Sequence, residues 1–180
     1  MDELIDILDQ QGNYTGKTCL KSEAHKFGHF HPTVHIWLYT TNQQVLLQKR
    51  SLTKKVFPGL WDISVAGHVA AGEEIKKAAL REIQEEIGFS IIPQNLHKIG
   101  TRKHEIKHKN GIIDNEFHHV YIAELTTDIK YLTIQKEELE AIKLFDLETL
   151  KNTPNLNNIL LPKFHEYYCF VYDEIIKLLV

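Results

Sequence analysis

The chain has 180 residues, with 21 Lys and Arg against 24 Asp and Glu, a formal net charge of −3. Hydrophobic residues make up 43% and charged residues 25%, which excludes a disordered chain; at about 150 residues per domain, residues 1–180 fit one globular domain with a real core. The weakly acidic balance gives no general attraction to a nucleic-acid polymer or an anionic membrane, and no apolar run approaches the ~18 residues of a membrane span.

In chain order, residues 2–9 read as a short amphipathic helix with Leu4, Ile5 and Leu8 on one side, and 12–33 as a His-rich loop. Cys19 and Cys169 form no metal-binding spacing, and the acidic start MDELIDILDQ lacks the basic region of a signal peptide. Free thiols and a cytoplasmic setting are therefore expected. VHIWLYT (34–40) and QVLLQKR (44–50) predict two strands around Thr41-Asn42-Gln43. A basic loop, 51–60, ends at Pro58-Gly59, and WDISVAGHV (61–69) alternates as a strand. A helix over 73–87 ends at Gly88, a residue suited to a left-handed helix cap. Residues 96–107 and 113–125 predict a hairpin about Asn110-Gly111, 139–145 another strand, and 161–179 a C-terminal helix with Pro162 in its first turn and Phe164, Tyr168, Val171, Ile175 and Leu178 along one stripe. This order favours an α+β domain, layered α/β/α about a central mixed sheet.

The helix over 73–87 is the most informative segment. Glu82, Glu85 and Glu86 fall at i, i+3 and i+4, on one face. Like charges at this spacing repel, no Lys is interleaved among them, and Ala78 and Ala79 beside them are small and predict accessible carboxylates. A solvated acidic face is one reading. The other is a site for hard divalent cations, which relieve such a cluster most effectively. Arg81 can pair with Glu85, and Ile75, Leu80, Ile83 and Ile87 form the stripe expected to face the core.

The stretch Gly67–Phe89 resembles a complete Nudix box: a glycine, five residues, a glutamate, seven residues, then Arg-Glu-aliphatic-x-Glu-Glu-x-Gly-aromatic. Gly67, Glu73, Arg81, Glu82, Ile83, Glu85, Glu86, Gly88 and Phe89 fill every fixed position. The resemblance implies a Nudix α/β/α sandwich in which the box is a loop-helix-loop. It also implies cleavage of a diphosphate linkage in a small substrate, a nucleoside diphosphate joined to another group. Glu82, Glu85 and Glu86 would then hold Mg²⁺ or Mn²⁺, with Glu82 either ligand or base. The main-chain carbonyl of Ala66 would complete the metal shell, and Gly67, Glu73 and Arg81 would support the carboxylates.

Beyond the box, AHKFGHFHPTVHIW (24–37), LLQKRSLTKKVFPGLWDISVAGH (46–68) and Ile113-Asp114-Asn115-Glu116 are similar to isopentenyl-diphosphate isomerases. That resemblance implies a second metal position from His25, His31, His68, Asp114 and Glu116, with His29 able to replace either early histidine, and a catalytic role for Glu116. It also implies a phosphate clamp from Arg50, Lys54 and Lys55. Two departures separate the chain from the isomerases. They carry a cysteine directly before the Gly-His pair, where this chain has Ala66, and they lack most of the box carboxylates kept here. An alanine methyl cannot move a proton. The expectation is a metal-dependent Nudix hydrolase. The alternatives are an isomerase-type enzyme or a non-catalytic binding module. A small-molecule diphosphate is the expected partner, and a homo-oligomer is compatible with the sequence. His97, His104, His108, His118, His119 and His165 are read as ordinary structural or solvated histidines, and Trp37 and Trp61 as core.

Overall fold

Every residue of β3 (His31–Tyr39) except His35 is buried. Side chains alternate across a strand, so Val34, Ile36 and Leu38 enter one apolar cluster and Trp37 and Tyr39 the other. A strand apolar on both faces belongs at the centre of a layered domain. The computed structural model describes residues 2–153 and 159–179. In it β3 pairs in parallel with β8 (Ile113–Glu124), from His31↔Glu116 to Tyr39↔Glu124. β7 (His97–Lys107) forms the expected hairpin with β8, turned at Gly111 with φ 87°. β4 (Gln44–Arg50) carries β9 (Leu139–Asp146) on its other side, giving a mixed sheet of seven strands.

β3 and β4 share only the pair Tyr39↔Val45 before they part. The segment expected as one strand over 61–69 fills the gap as two: β5 (Trp61–Asp62) pairs with β4, and β6 (Val65–His68) with β3. The break falls at Ile63-Ser64 for a hydrogen-bonding reason. At the crossing the Leu38 N–H and the Leu46 carbonyl lie inside the protein, where an unpaired backbone group is costly. The fully buried Ser64 hydroxyl accepts from Leu38 N at 2.8 Å and donates to the Leu46 carbonyl.

α2 (Ile75–Ile87) lays Ala78, Ala79, Ile83 and Ile87 on the Val34–Ile36–Leu38 face. The opposite face is covered by α3 (Leu147–Asn152), whose Asp146 cap accepts from Thr149 N at 2.8 Å, and by α4 (His165–Leu179), through Tyr168, Val171, Tyr172 and Ile175. The α+β class and the α/β/α layering are as expected. The C-terminal helix is shorter than the 161–179 expected, a 3₁₀ turn at Pro162–Phe164 preceding it, and Leu178 is exposed rather than part of the packed stripe.

The first thirty residues correct the sequence reading. Residues 2–9 are not a helix: β1 (Leu4–Leu8) pairs with β2 (Tyr14–Leu20), and single bridges tie Ile5 to Ala70 and Leu8 to Phe30. An eight-residue helix would nucleate poorly, and the strand form buries Ile5 and Leu8 while satisfying the backbone. The expected loop over 12–33 instead holds β2, α1 (Lys21–Phe27) and the start of β3. Glu23 accepts from Leu20 N at 3.3 Å at the start of α1, and Gly28 ends it at φ 70°. Among the described residues no helix is long and apolar enough to cross a membrane.

Ser64→Ala leaves two buried backbone groups without a partner at the β3–β4 fork. A loss of about 1–3 kcal/mol is expected, read as a lowered urea midpoint with unchanged slope.

Candidate active site

Gly67 on β6 faces Glu82 on α2 so closely that a Cβ there would sit 2.0 Å from the Glu82 carboxyl carbon. The glycine lets helix and strand approach until the carboxylate rests on the strand backbone. Arg81 fixes the arrangement. Its Nε and one terminal nitrogen donate to the two oxygens of Glu73, each at 3.0 Å, and that second nitrogen also donates to the His68 carbonyl at 3.0 Å. The remaining nitrogen donates to Glu82 at 2.8 Å and Glu85 at 3.0 Å. Glu73 in turn accepts from Ala70 N at 3.0 Å. One planar guanidinium thus ties the approach loop, the helix carboxylates and β6 together.

The three helix carboxylates are not equally accessible, contrary to the reading of Ala78 and Ala79 as an open surround; both alanines are fully buried in the core. Glu85 is exposed at the rim, whereas Glu82 and Glu86 are buried. Burial raises the Glu82 carboxyl against the opposing Arg81 charge. Burial, then the neighbouring Glu82, pushes Glu86 up to about 8, against the pull of Lys54 and Arg50. Glu86 Oε2 has no hydrogen-bond partner.

Of the cations expected to clamp phosphate, Arg50 and Lys54 face these carboxylates. Arg50 donates to the Val56 carbonyl at 3.1 Å and lies 3.4 Å from Asp62. Lys54 pairs with Glu138, and burial, then Arg50, lowers it to about 8. Lys55 is exposed and is tied in through its carbonyl, which accepts from Asn110. Lys21, at the start of α1, bears electrostatically on both Lys54 and His68. The sequence reading missed it because it lay in a supposed loop.

A second group lies across β6. One nitrogen or carboxylate oxygen from each of His25, His31, His68 and Glu116 falls within 4.8 Å of the others. α1 supplies His25, the start of β3 His31, β6 His68 and β8 Glu116. His25 Nε2 and His68 Nε2 are 3.1 Å apart. His31 Nδ1 lies 2.9 Å from the His29 carbonyl, a donor contact that turns Nε2 inward, and that Nε2 is buried without a hydrogen bond. Burial would raise Glu116, but His118, 2.8 Å from one of its oxygens, and His31, whose Nε2 stands 3.7 Å from the other, hold it well below the carboxylate range. Burial, then Lys21, holds His68 well below the imidazole range.

Two residues expected among these ligands stand elsewhere. Asp114 lies behind His25, 2.9 Å from its Nδ1 and 2.6 Å from His108 Nε2, where it orients the ring rather than facing the cluster. The His29 ring is exposed, and only its carbonyl takes part. Three histidines read as ordinary instead surround the group: His108 on Asp114, His118 on Glu116 at 2.8 Å, and His104, with its ring centroid 4.7 Å from that of His118. The signal was their same-face spacing at 104, 116 and 118 on two strands whose register pairs His104 with Glu116.

A profile of the NUDIX domain matches residues 29–166. The chain is 38% identical over 155 residues to "Nudix hydrolase 3" of Arabidopsis thaliana, covering 84% of this chain and 20% of that protein, so it spans only a fifth of that relative's length. It is 33% identical over 150 residues to an isopentenyl-diphosphate Delta-isomerase of Citrobacter koseri, covering 82% of this chain and 80% of that one. The fold is shared with the crystal structure of DR0079 from Deinococcus radiodurans, at TM-score 0.69 and 19% identity over 93% of this chain and 98% of that one. With an unbroken box braced by Arg81 on such a scaffold, the chain belongs to the Nudix family, and it is similar both to a Nudix hydrolase and to isopentenyl-diphosphate isomerases.

Proposed function

We propose that the chain hydrolyses a diphosphate linkage in a small substrate, a nucleoside diphosphate joined to another group, and needs Mg²⁺ or Mn²⁺ to do so. The observation that carries this reading is Glu86: a buried carboxylate whose Oε2 has no partner, beside Glu82 and facing Lys54 and Arg50. A buried carboxylate oxygen without a hydrogen bond is costly unless a cation completes it. Glu82, Glu85, Glu86 and the Ala66 carbonyl would hold that cation, an all-oxygen set suited to a hard ion. When bound, a divalent ion neutralises diphosphate charge and activates water. The chain's own residues do the rest. Arg81 keeps Glu82 and Glu85 aligned, Gly67 admits Glu82 to the backbone, and Arg50 and Lys54 bring positive charge to the phosphates.

His25, His31, His68 and Glu116 are proposed as a second cation position. Their inward ring nitrogens and the buried, unpartnered His31 Nε2 support it, and mixed imidazole and carboxylate ligands suit Mn²⁺ or Zn²⁺ better than Mg²⁺. Glu116 would join this position to the reacting diphosphate.

The isomerase reading has weaker support. Moving a proton between two carbons needs two positioned groups. The residue before the Gly-His pair is Ala66, while Cys19 lies on the N-terminal hairpin and Cys169 on α4, beside His165. A binding module without catalysis would have no chemical need for the full set of box carboxylates.

Hydrolysis of a panel of nucleotide sugars, dinucleotides and isoprenoid diphosphates, read as new phosphate monoesters through phosphatase-coupled phosphate release, tests the reading. It should require Mg²⁺ or Mn²⁺ and fall about 100-fold or more in Glu86→Gln, as for loss of a transition-state contact; turnover near wild type would overturn it. In chelator the same substitution should raise stability. With the folded-state carboxyl raised to about 8, ionising it disfavours the fold, so wild-type stability declines as pH rises from about 4.5 to 8 while Glu86→Gln lacks this decline. Thermal melts at pH 5 and pH 9 read the difference.

Elemental analysis of metal-loaded protein should find two ions per chain, and Glu116→Gln should lose one. Isopentenyl diphosphate should give no dimethylallyl diphosphate with the unmodified chain; robust conversion would reverse the preference for hydrolysis.

A further inference from the structure

Arg102 on β7 has no carboxylate partner among the described residues, though it lies half-buried beneath the start of α4. Its guanidinium stacks between two rings, 4.4 Å from the centroid of Phe164 and 4.7 Å from that of Tyr167. One terminal nitrogen reaches His104 Nδ1 at 3.4 Å and His118 Nδ1 at 3.5 Å. Its other donors have no hydrogen-bond partner among the described residues, and the side chain is half-buried rather than enclosed. A guanidinium held flat by aromatic faces, with donors left over, is prepared to receive an oxyanion.

Its position relates it to the site. Arg102 pairs across the hairpin with His118, and His104 pairs with Glu116. Arg102 is thus the diagonal neighbour of Glu116 on the same face, roughly 7–8 Å away. On this face the side chains near the centre of the sheet are not fully covered. Trp37 is wholly buried under α4, but His35, Ala66, His104 and Tyr167 all keep partial exposure. His35 stacks on His118 at 3.7 Å and, with Trp37, reaches the Tyr167 hydroxyl at 3.1 and 3.0 Å. A partly exposed strip thus runs from Ala66 and Glu116 to Arg102, made of imidazoles, a phenol and a cation with no carboxylate partner among the described residues. Such a strip does not suit an apolar chain.

We infer that the non-phosphate half of the substrate lies along this strip, and that this half carries a second anionic group, a carboxylate or a phosphate monoester, bound by Arg102. The inference rests on the proposed diphosphate hydrolysis for the identity of the first half. The imidazoles of His35 and His104 supply hydrogen bonds to the linking portion, and the partly exposed Ala66 adds only a methyl group beside Glu116. Specificity then comes from the distance between the two anionic ends and not from the diphosphate, which the box would treat alike in every substrate.

Two matched pairs test this: UDP-glucuronate against UDP-glucose for a carboxylate, and NADP against NAD for a phosphate monoester. The wild-type protein is expected to favour the anionic member of one pair by about tenfold or more in kcat/KM, the size of a charge-assisted contact. Which pair responds identifies the anion. In Arg102→Met, which keeps the stem against Phe164 and Tyr167, that ratio should fall to about one, and Arg102→Lys should retain part of it. Equilibrium binding of the same pairs to the Glu86→Gln protein supplies a readout independent of turnover and of the folding of any Arg102 variant. No hydrolysis with the binding preference intact counts against the hydrolytic reading alone. Equal binding within both pairs, or a preference unchanged in Arg102→Met, overturns the subsite. A fall in melting temperature with unchanged preference likewise overturns it, leaving Arg102 as a clip that holds α4 against β7.

Discussion

The guanidinium of Arg81 is the contact on which the site depends. Glu82 and Glu85 repel each other at i and i+3, Glu86 lies one residue further on, and two of the three are buried. A helix face of this kind would splay its side chains toward water or protonate them. Arg81 answers with a charge that cannot be lost and a rigid fork that reaches Glu73, Glu82, Glu85 and the His68 carbonyl at 2.8–3.0 Å. Its geometry fixes the loop before α2 and the end of β6 along with the carboxylates. Glu86 is left outside this network, and burial, then the neighbouring Glu82, keeps its carboxyl raised.

The second constraint is the fork between β3 and β4. Had the two strands remained paired past Tyr39↔Val45, no edge of β3 would be open to β6. Ser64 makes the divergence tolerable by satisfying both freed backbone groups. The segment that follows then delivers Ala66, Gly67 and His68 to the middle of the domain, between α2 on one side and α1, β3 and β8 on the other.

Much of this was legible in the chain. The box residues stand at fixed spacing, so Gly67, Glu73, Arg81 and the three carboxylates could be named as one unit, and the 3.6-residue period of Ile75, Ile83 and Ile87 set which side of α2 is packed. The Asn110-Gly111 turn fixed the β7–β8 hairpin, and VHIWLYT and QVLLQKR marked most of β3 and β4. What escaped notice was set by contacts distant in sequence. β1 is a strand because β2, Ala70 and Phe30 claim its backbone, and none of these is visible in residues 2–9. α1 is short, with a single acidic residue in its first turn, so the element that carries His25 and Lys21 left little periodic signal. Asp114 resembles a ligand by position, and only the ring of His25 standing between it and the cluster shows its different part. Glu82 and Glu86 looked solvent-facing because helix geometry gives the shared face but not the strand packed against it.

The alternation of β6 accounts for how one scaffold can serve two chemistries. Successive residues of a strand point to opposite faces. Gly67 therefore meets Glu82 and the braced carboxylates, while Ala66 and His68 lie on the face that carries the histidine group and Glu116. Three consecutive residues are the whole wall between the two ligand sets. In the isomerases that this chain resembles, the residue before the Gly-His pair is a cysteine and most of the box carboxylates are missing, so proton transfer is gained on one face and the acidic set lost on the other. Here both substitutions run the opposite way. Ala66 removes the titratable atom from the histidine side and leaves room there, while Glu82, Glu85 and Glu86 keep the opposite side acidic. The two faces share one short backbone, paired with β3 from Thr33↔His68 to Ile36↔Val65, so the same four pairs hold both ligand sets in place.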